Sequence, residues 1–466
     1  MCIPFRSALS IENNLQLRAA KRKRQQHEIN EQELLSWKPI DITKEHFMLK
    51  SVPETLHKAT FKPDIRKSFL DILLAFFPVD FIEDIWHSYP IDHWAYTTAG
   101  ECIVLFAGRP HVGSIYLYLA MYIAICGTGR THHKRQRPLR EDIQDCIDTF
   151  QLMAPEGIRI PGRETFELLF ARFLLSRDHM AELCANFRSI LSHIGRVLAC
   201  DEKLFHFTGN SAYIRLIPQK LGVGIWIYDA TCVLENGDPY LVHCKQSVSL
   251  PAKQIKEPVV GIVKEWFSLS KEFSTKDNYI GPVVTYDSYY NVEETRQLAR
   301  TTGTPFVAAV MPSRFGNLIA ILRRIGTKVA KPGDTAAEER GELFVNHWDI
   351  DPKKGKKFCL SNAFVERPSL RSGDFIVPVY DHYDLMYRGC DQFHRLLSDT
   401  LFPHKAGGKN TPGEFGSIHR FLMAVALKNI FSAVRNIGGH SEEETDFPNC
   451  CRLLSNSLAA HAFTLM

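Results

Sequence analysis

Three aspartates that lie far apart in the chain have the clearest chemical potential: Asp201, Asp287 and Asp391. The first two are predicted at the ends of strands and the third on a distant helix, a pattern typical of a carboxylate metal cage. Carboxylate oxygens are ligands that suit Mg²⁺ or Mn²⁺. Two such ions roughly 3.5–4 Å apart can activate an attacking oxygen and stabilise a leaving oxygen in phosphodiester chemistry. The three aspartates are therefore predicted to be catalytic residues and metal ligands.

The segment around Asp287 combines a strand with a following helix. Residues 283–286 are β-branched or aromatic, which favours a short buried strand. Residues 292–300 place their apolar side chains at helical spacing. Asp287 thus follows the strand, and open α/β sheets build their sites at the carboxyl ends of strands. The alternative is that Asp287 only caps the next helix, because Asp is a favoured N-cap residue.

The other two aspartates have different surroundings. Residues 197–199 indicate a strand that ends on Asp201. Asp391 lies on a segment with helical spacing that also carries His394. It follows Gly389 and Cys390, small residues that let a backbone approach closely. The prediction is that this helix brings its aspartate to the two strand ends.

Three sequence blocks extend these observations. The first is DEKLFHFTGNSAYIRLIPQKLGVGIWIYDAT from Asp201, with an Asp-Glu pair and an Ile-Pro-x-Lys run that ends at Lys220. The second begins TYDSYYNVEETRQLAR at Thr285, and the third is VYDHYDLMYRGCDQFHRLL from Val379. In this order the blocks resemble the catalytic core of the piggyBac-type DDE/DDD transposases. The resemblance covers about residues 195–440.

This resemblance implies an α/β fold with a ribonuclease-H-like mixed-sheet core, a mainly helical flanking region for dimerisation and DNA binding, and an insertion. It also implies DNA cleavage and strand transfer with two Mg²⁺ or Mn²⁺ ions, through a hairpin intermediate and with insertion at TTAA. The implied partners are double-stranded DNA and a second copy of the chain.

The third block departs from the family pattern at several positions. The Tyr-Asn of the family is Tyr383-Asp384 here, and its Gly-Gly-Val-Asp is Arg388-Gly389-Cys390-Asp391. The family has a further aspartate three residues after the third catalytic one, where this chain has His394. A histidine can still bind Mn²⁺ or Zn²⁺, so His394 is included as a candidate metal ligand. It carries no negative charge to offset two dications.

Composition is that of an ordinary globular protein, with 45% hydrophobic and 23% charged residues among 466. The formal charge of +4 is only weakly basic, so net charge alone does not indicate nucleic acid. Twelve cysteines without a CxxC pair predict reduced thiols and an intracellular location. The most apolar stretch, residues 115–126, is about 12 residues long, which suits a buried helix and is too short to span a bilayer.

Clusters of basic residues are the second indication of nucleic acid, because phosphate contacts require grouped Lys and Arg more than any particular order. The run within residues 18–24 is predicted to be a nuclear-import signal or a DNA-contacting arm, which places the protein in the nucleus. The predicted DNA-binding residues are Arg130, Lys134, Arg135, Arg137, Lys220, Arg323, Arg324, Lys353 and Lys354. The alternative for each run is a solvated surface segment without a special role.

The periodicity of apolar residues divides the chain into six regions. The predicted regions are a basic disordered tail (1–45), a helical DNA-binding and dimerisation region (46–195), the first part of the core (196–318), an insertion (319–358), the second part of the core (359–396) and a C-terminal helical region that packs on the first (397–466). Within them, residues 177–198 and 418–437 are predicted to be helical, and Trp226 and Trp266 to belong to the core.

Two functions remain open from the sequence. The first is an active transposase of the piggyBac type. The second is a DNA-binding or chromatin-associated protein derived from such a transposase, folded but catalytically inert. His394 and the altered Arg388-Gly389-Cys390 favour the second, whereas the three aspartates favour the first.

Overall fold

The computed structural model describes the parts of the chain that form the secondary structure and its immediate connections. They are residues 40–41, 59–65, 68–89, 105–106, 109–110, 112–128, 139–158, 160–195, 197–206, 214–216, 223–248, 257–273, 282–310, 344–349, 356–361, 363–364, 389–397, 413–437 and 446–466. The chain divides into two compact units. Residues 52–258 and 386–466 form one, here called the flanking unit, and residues 1–51 and 259–385 form the other, the mid-chain unit.

The described helices of the flanking unit are α1 (Phe69–Phe76), α2 (Val79–Ser88), α3 (Val112–Cys126), α4 (Leu139–Met153), α5 (Arg163–Arg172) and α6 (Met180–Ser189). Its described strands are β2 (Thr60–Phe61), β3 (Leu105–Phe106), β4 (Arg109–Pro110), β5 (Leu191–His193), β6 (Val197–His206), β7 (Ile214–Leu216), β8 (Val223–Val233) and β9 (Pro239–Gln246). The mid-chain unit contributes β1 (Ile40–Asp41), α7 (Val259–Glu272), β10 (Val283–Tyr286), α8 (Glu293–Thr302), β11 (Phe306–Val310), β12 (Phe344–Asp349), β13 (Lys356–Ser361) and β14 (Ala363–Phe364). Helices α9 (389–397), α10 (Gly413–Ile437) and α11 (Phe447–Leu465) return to the flanking unit.

Strand β8 is the centre of the sheet in the flanking unit. Antiparallel β6 lies on one edge of β8, and antiparallel β7 and β9 pair with its opposite edge. Residues 224–230 are all buried, as expected of an inner strand covered on both faces. The prediction that the β6 strand ends on Asp201 is wrong, because the strand pairs with β8 as far as His206. Asp201 therefore lies in the middle of a strand.

Helices cover this sheet with a densely buried core. Nearly every residue of α3 is buried, and α11 packs along it, while α10 lies against α1 and β9. The prediction of one continuous helix over residues 177–198 is wrong. The helix ends at Ser189, and the chain then forms β5, whose His193 pairs with Thr60 of β2. Pairing with strands that are distant in sequence overrides the local helical spacing.

Helix α3 (Val112–Cys126) contains the apolar stretch of residues 115–126, which the sequence predicts to be too short to span a bilayer. Within the described part of the chain, the structure contains no helix with both the length and the apolar character needed to cross a membrane. Nine cysteines of the described part of the chain form no disulfide. The predicted reduced state stays a prediction.

One asparagine joins helix α10 to the edge of β9 that faces away from β8. The buried Asn429 side chain donates from Nδ2 to the Leu241 carbonyl (2.8 Å) and accepts at Oδ1 from the Leu241 N–H (3.0 Å). Leu241 belongs to β9, and the amide completes its backbone hydrogen bonds as a neighbouring strand would.

Replacing Asn429 by Asp is expected to lower the free energy of unfolding by about 2 kcal/mol. The carboxylate cannot donate to the Leu241 carbonyl, and it leaves that buried oxygen unpaired. Urea denaturation at pH 7.5 measures the loss. Asn436→Asp on the same helix is the matched control, because Asn436 only accepts, from the Asn236 N–H, and aspartate still accepts there. Equal losses in the two variants would contradict the prediction.

His419 is a second buried polar residue on α10, and its hydrogen bonds determine which ring nitrogen carries the proton. The Leu175 N–H donates to His419 Nδ1 (3.1 Å), so the ring proton resides on Nε2, which faces the Tyr118 hydroxyl at 3.3 Å. Burial, and secondarily Arg420, lowers the pKa of His419 to about 3. The folded protein therefore holds the neutral ring, whereas the unfolded chain takes up a proton near its ordinary pKa of about 6.5.

This difference predicts a loss of stability in mild acid. The contribution of His419 is complete above about pH 6.5 and is lost as the pH falls toward 3, because only the unfolded state binds the proton. Between pH 7.5 and pH 5.0 this amounts to about 2 kcal/mol. The measurement compares urea denaturation of wild type with His419→Asn, whose Oδ1 can still accept from Leu175. The variant should lack about this much of the pH dependence, and identical pH profiles would refute the assignment.

The mid-chain unit has a mixed sheet. Parallel strands β10 and β11 lie side by side, β13 is antiparallel to β11, and β12 is antiparallel to β13. The predicted strand at residues 283–286 is confirmed as β10, and helix α8 ends at Gly303, whose φ of 66° suits glycine. Strand β12 lies within the region that the sequence assigns to the insertion. The six predicted region boundaries, and the disorder of residues 1–45, stay predictions.

Candidate metal centre

The candidate site lies on one face of the sheet in the flanking unit. Asp201 of β6 stands directly opposite Asp229 of β8 in the strand register, and Ala199 stands opposite Thr231. Because side chains alternate along a strand, these four residues share one face. The site is therefore built across two paired strands.

Helix α9 covers this face. Cys390, near its start, contacts the Thr231 hydroxyl (3.2 Å) and donates to the Ala199 carbonyl (3.1 Å). His394, one turn later, contacts Asp229 through Nε2, two residues before Thr231 on β8. A helical turn of about 5.4 Å nearly matches the span of about 6.6 Å between alternate strand residues, so α9 can follow β8 in the reverse direction.

A lysine ties the helix to the other strand. Lys203 Nζ, on the same face of β6, donates to the His394 carbonyl at 3.0 Å. Burial lowers the pKa of Lys203 to about 8, while the Asp229 carboxylate acts in the opposite direction. Contacts from β6 and from β8 together hold helix α9 over these two strands.

The arrangement brings three of the predicted ligands together. Asp201, Asp391 and His394 each offer one ligand atom, and these atoms all lie within 4.8 Å of one another. Asp201 is only 5% exposed, His394 is partly buried and Asp391 is exposed to solvent. Two carboxylates and an imidazole at this spacing can bind one divalent cation, and the exposed Asp391 leaves that position open to solvent.

Electrostatics on this face also suit a cation. Burial, followed by the Asp229 and Asp201 carboxylates, raises the pKa of the Cys200 and Cys390 thiols well above the ordinary value. Both cysteines are therefore neutral. Cys390 behaves as a small packing residue on this face, whereas Cys200, next to Asp201 on β6, points to the opposite face of the sheet. The negative charge comes from the aspartates, and a bound cation would offset it.

Asp287 lies in the mid-chain unit, directly after β10. It does not cap α8, because Val292 is the N-cap residue and the Thr295 hydroxyl accepts from the Val292 N–H. Instead its Oδ1 accepts from the Tyr289 N–H within a turn. The alternative that Asp287 serves only as a helix cap is thus removed, and its predicted catalytic role stays a prediction.

Buried neighbours anchor the turn that carries Asp287. The Tyr290 ring is fully buried, with its edge against Trp266 at 4.8 Å between centroids. Asn291 Nδ2 donates to the Ala309 carbonyl (3.0 Å) at the end of β11, and the buried Arg296 donates to Asn291 Oδ1 (3.3 Å). Buried ring packing and hydrogen bonds therefore hold the turn that carries Asp287.

The structure separates the sequence predictions into three groups. It brings together Asp201, Asp391 and His394, it places Asp287 in the other unit, and it does not describe the predicted DNA-binding residues. Those outside the described residues are Arg130, Lys134, Arg135, Arg137, Lys220, Arg323, Arg324, Lys353 and Lys354.

Asp229 is the residue of this site that the sequence reasoning missed. It is fully buried, lies opposite Asp201 and contacts His394 and, at 3.6 Å, the Cys390 thiol. The sequence contained one signal that could have identified Asp229, since it is the acidic residue of the apolar run GIWIYDAT. A charged side chain in such a run indicates a partner, because it is seldom fully buried without one.

Comparison with known proteins gives a match to a solved structure and no match at the level of sequence. No protein-family profile and no curated protein matches the sequence. A cryo-EM structure of the piggyBac transposase synaptic complex with hairpin DNA matches with a TM-score of 0.61 and 14% identity, over 87% of this chain and 84% of that one. At this identity the match concerns the fold alone. The chain has a mixed α/β fold similar to that of the piggyBac transposase.

Proposed function

We propose that this protein is a DNA transposase of the piggyBac type that cleaves DNA and transfers strands with divalent metal ions. The single observation that carries the proposal is the Asp201–Asp391–His394 group within a fold similar to that of the piggyBac transposase. The fold similarity supports a transposase-like function, and the group supplies the ligands that metal-dependent phosphodiester chemistry requires.

The proposal gives each of these residues a role. Asp201 and Asp391 hold the cation from β6 and from the exposed side of α9, and His394 adds a nitrogen ligand. Asp287, on its anchored turn, is the third catalytic carboxylate of the proposal. When bound, two Mg²⁺ or Mn²⁺ ions would lower the pKa of an attacking water or DNA 3′-hydroxyl and stabilise the leaving 3′-oxygen.

Further parts of the proposal come from the resemblance alone. We infer a ribonuclease-H-like core, a homodimer in the nucleus, a hairpin intermediate and insertion at TTAA. The nine basic residues predicted to bind DNA would position the phosphodiester by charge, which makes binding weaker at high salt.

The test is nicking of supercoiled plasmid by purified wild type and by Asp287→Asn, with Mg²⁺, with Mn²⁺ and with a chelator. Wild type should nick only with metal, and the variant should lose this activity while it still binds DNA in a salt-sensitive manner. Glu294→Gln, an exposed carboxylate on α8, is the control within the same unit. Equal residual nicking by wild type and Asp287→Asn would remove the nuclease function.

A second candidate function is a DNA-binding protein that no longer cleaves. The specific observation in its favour is that His394, at a position where the family has an aspartate, is engaged by Asp229. This candidate predicts salt-sensitive DNA binding without metal-dependent nicking by the wild type.

A further inference from the structure

We infer that Asp229 orients His394 as a nitrogen ligand and that the candidate centre consequently selects a first-row transition-metal ion such as Mn²⁺ over Mg²⁺. The inference deepens the proposed function, because it concerns the cation that the proposed cleavage would use. Its test measures metal binding, so it can stand or fall separately from nuclease activity.

The contact with Asp229 determines which ring nitrogen of His394 is available to a cation. Nε2 contacts the Asp229 Oδ2 carboxylate oxygen, which can only accept a hydrogen bond, so Nε2 carries a proton. In the neutral ring this leaves the lone pair on Nδ1. Nδ1 is therefore the ring nitrogen of His394 that can bind a cation together with Asp201 and Asp391, the two residues that form the candidate group with it.

Burial and neighbouring contacts hold the His394 ring in this orientation. The Asp229 side chain is 1% exposed and that of His394 is 15% exposed, so water competes little for their contact. The other carboxylate oxygen, Oδ1, lies 3.6 Å from the Cys390 sulfur, one turn earlier on α9. Lys203 holds the His394 carbonyl, so both the backbone and the ring of this residue are fixed.

A histidine ligand oriented in this way affects which metal ion the centre binds. A carboxylate that accepts from a metal-bound histidine fixes its tautomer and strengthens it as a ligand, and loss of such a partner costs about 10–100-fold in metal affinity. Mg²⁺ prefers oxygen ligands and water, whereas first-row transition metals bind imidazole nitrogen readily. A site with two carboxylates and an oriented imidazole should therefore favour Mn²⁺ over Mg²⁺.

The test is titration of the full-length protein with Mn²⁺ and with Mg²⁺, together with pulsed electron paramagnetic resonance of the Mn²⁺-bound protein. Wild type should show ¹⁴N coupling from a directly bound imidazole. In His394→Gln this coupling should disappear, and the ratio of Mg²⁺ to Mn²⁺ dissociation constants should fall about tenfold. His87→Gln, at an exposed position near the end of α2, should change neither.

A double-mutant cycle tests the positioning role of Asp229. Asp229→Asn should weaken Mn²⁺ binding about tenfold in the wild-type background and change it little in the His394→Gln background, because the effect acts through the ring. A merely structural aspartate would weaken binding equally in both backgrounds, which would overturn that role.

Other outcomes are equally decisive. Absence of ¹⁴N coupling in wild type, or an unchanged Mg²⁺-to-Mn²⁺ ratio in His394→Gln, would overturn the inference. If Asp229→Asn does not fold, His394→Gln decides, since its side chain is on the partly exposed side of α9. Mn²⁺-selective binding without any plasmid nicking would uphold the inference and count against the proposed function.

Discussion

Replacing Asp201 by Asn is expected to reduce the proposed metal-dependent DNA cleavage by at least about 1000-fold. The amide keeps the size of the side chain but removes the charge of the most buried candidate ligand, which is 5% exposed. A metal ion contributes several kcal/mol of transition-state stabilisation, and about 4 kcal/mol corresponds to three powers of ten in rate. Initial rates of plasmid nicking over a Mn²⁺ titration give the measurement.

A matched substitution separates loss of the ligand from a general loss of charge. Asp178→Asn makes the same chemical change in the same unit, at a side chain that is 82% exposed. It should nick and bind Mn²⁺ as wild type does, whereas Asp201→Asn should also lose Mn²⁺ binding in a titration. Unchanged Mn²⁺ affinity in Asp201→Asn would show that this carboxylate is not a ligand.

Replacing Trp266 by Ala is expected to lower the free energy of unfolding of the mid-chain unit by about 3–5 kcal/mol. Trp266 of α7 is 1% exposed and contacts the rings of Tyr286 and Tyr290. Truncation removes this buried surface and leaves a cavity that the neighbouring rings cannot fill. The two tyrosines flank Asp287, so the same change should also loosen the turn that carries it.

Urea denaturation and amide hydrogen exchange of β10 and α7 measure the two effects of this substitution. Trp266→Phe is the control, because a smaller ring still packs against Tyr290 and should lose less stability. A loss below about 1 kcal/mol in Trp266→Ala would contradict the assigned core position. Faster exchange at the amides after β10 in the alanine variant alone would link this packing to the Asp287 turn.

Local sequence patterns were sufficient wherever neighbours in the chain decide the structure. The strand at residues 283–286 and the helix that ends at Ile437 follow from β-branched content and apolar periodicity. The buried positions of Trp226 and Trp266 follow from their apolar surface. Asp201, Asp391 and His394 were recognisable as candidate ligands, because their residue types limit the chemistry they can perform, and the structure brings them together.

Contacts between distant segments were beyond such patterns. The length of β6 beyond Asp201 depends on its ladder with β8, and the strand that follows Ser189 depends on pairing with β2. Asp229 lies in an apolar run, and that run does not indicate that its carboxylate contacts His394. The contact forms because α9, more than 150 residues later in the chain, packs against β8. Strand pairing and helix packing bring together residues of any separation, whereas periodicity reports only on the few residues nearest in sequence.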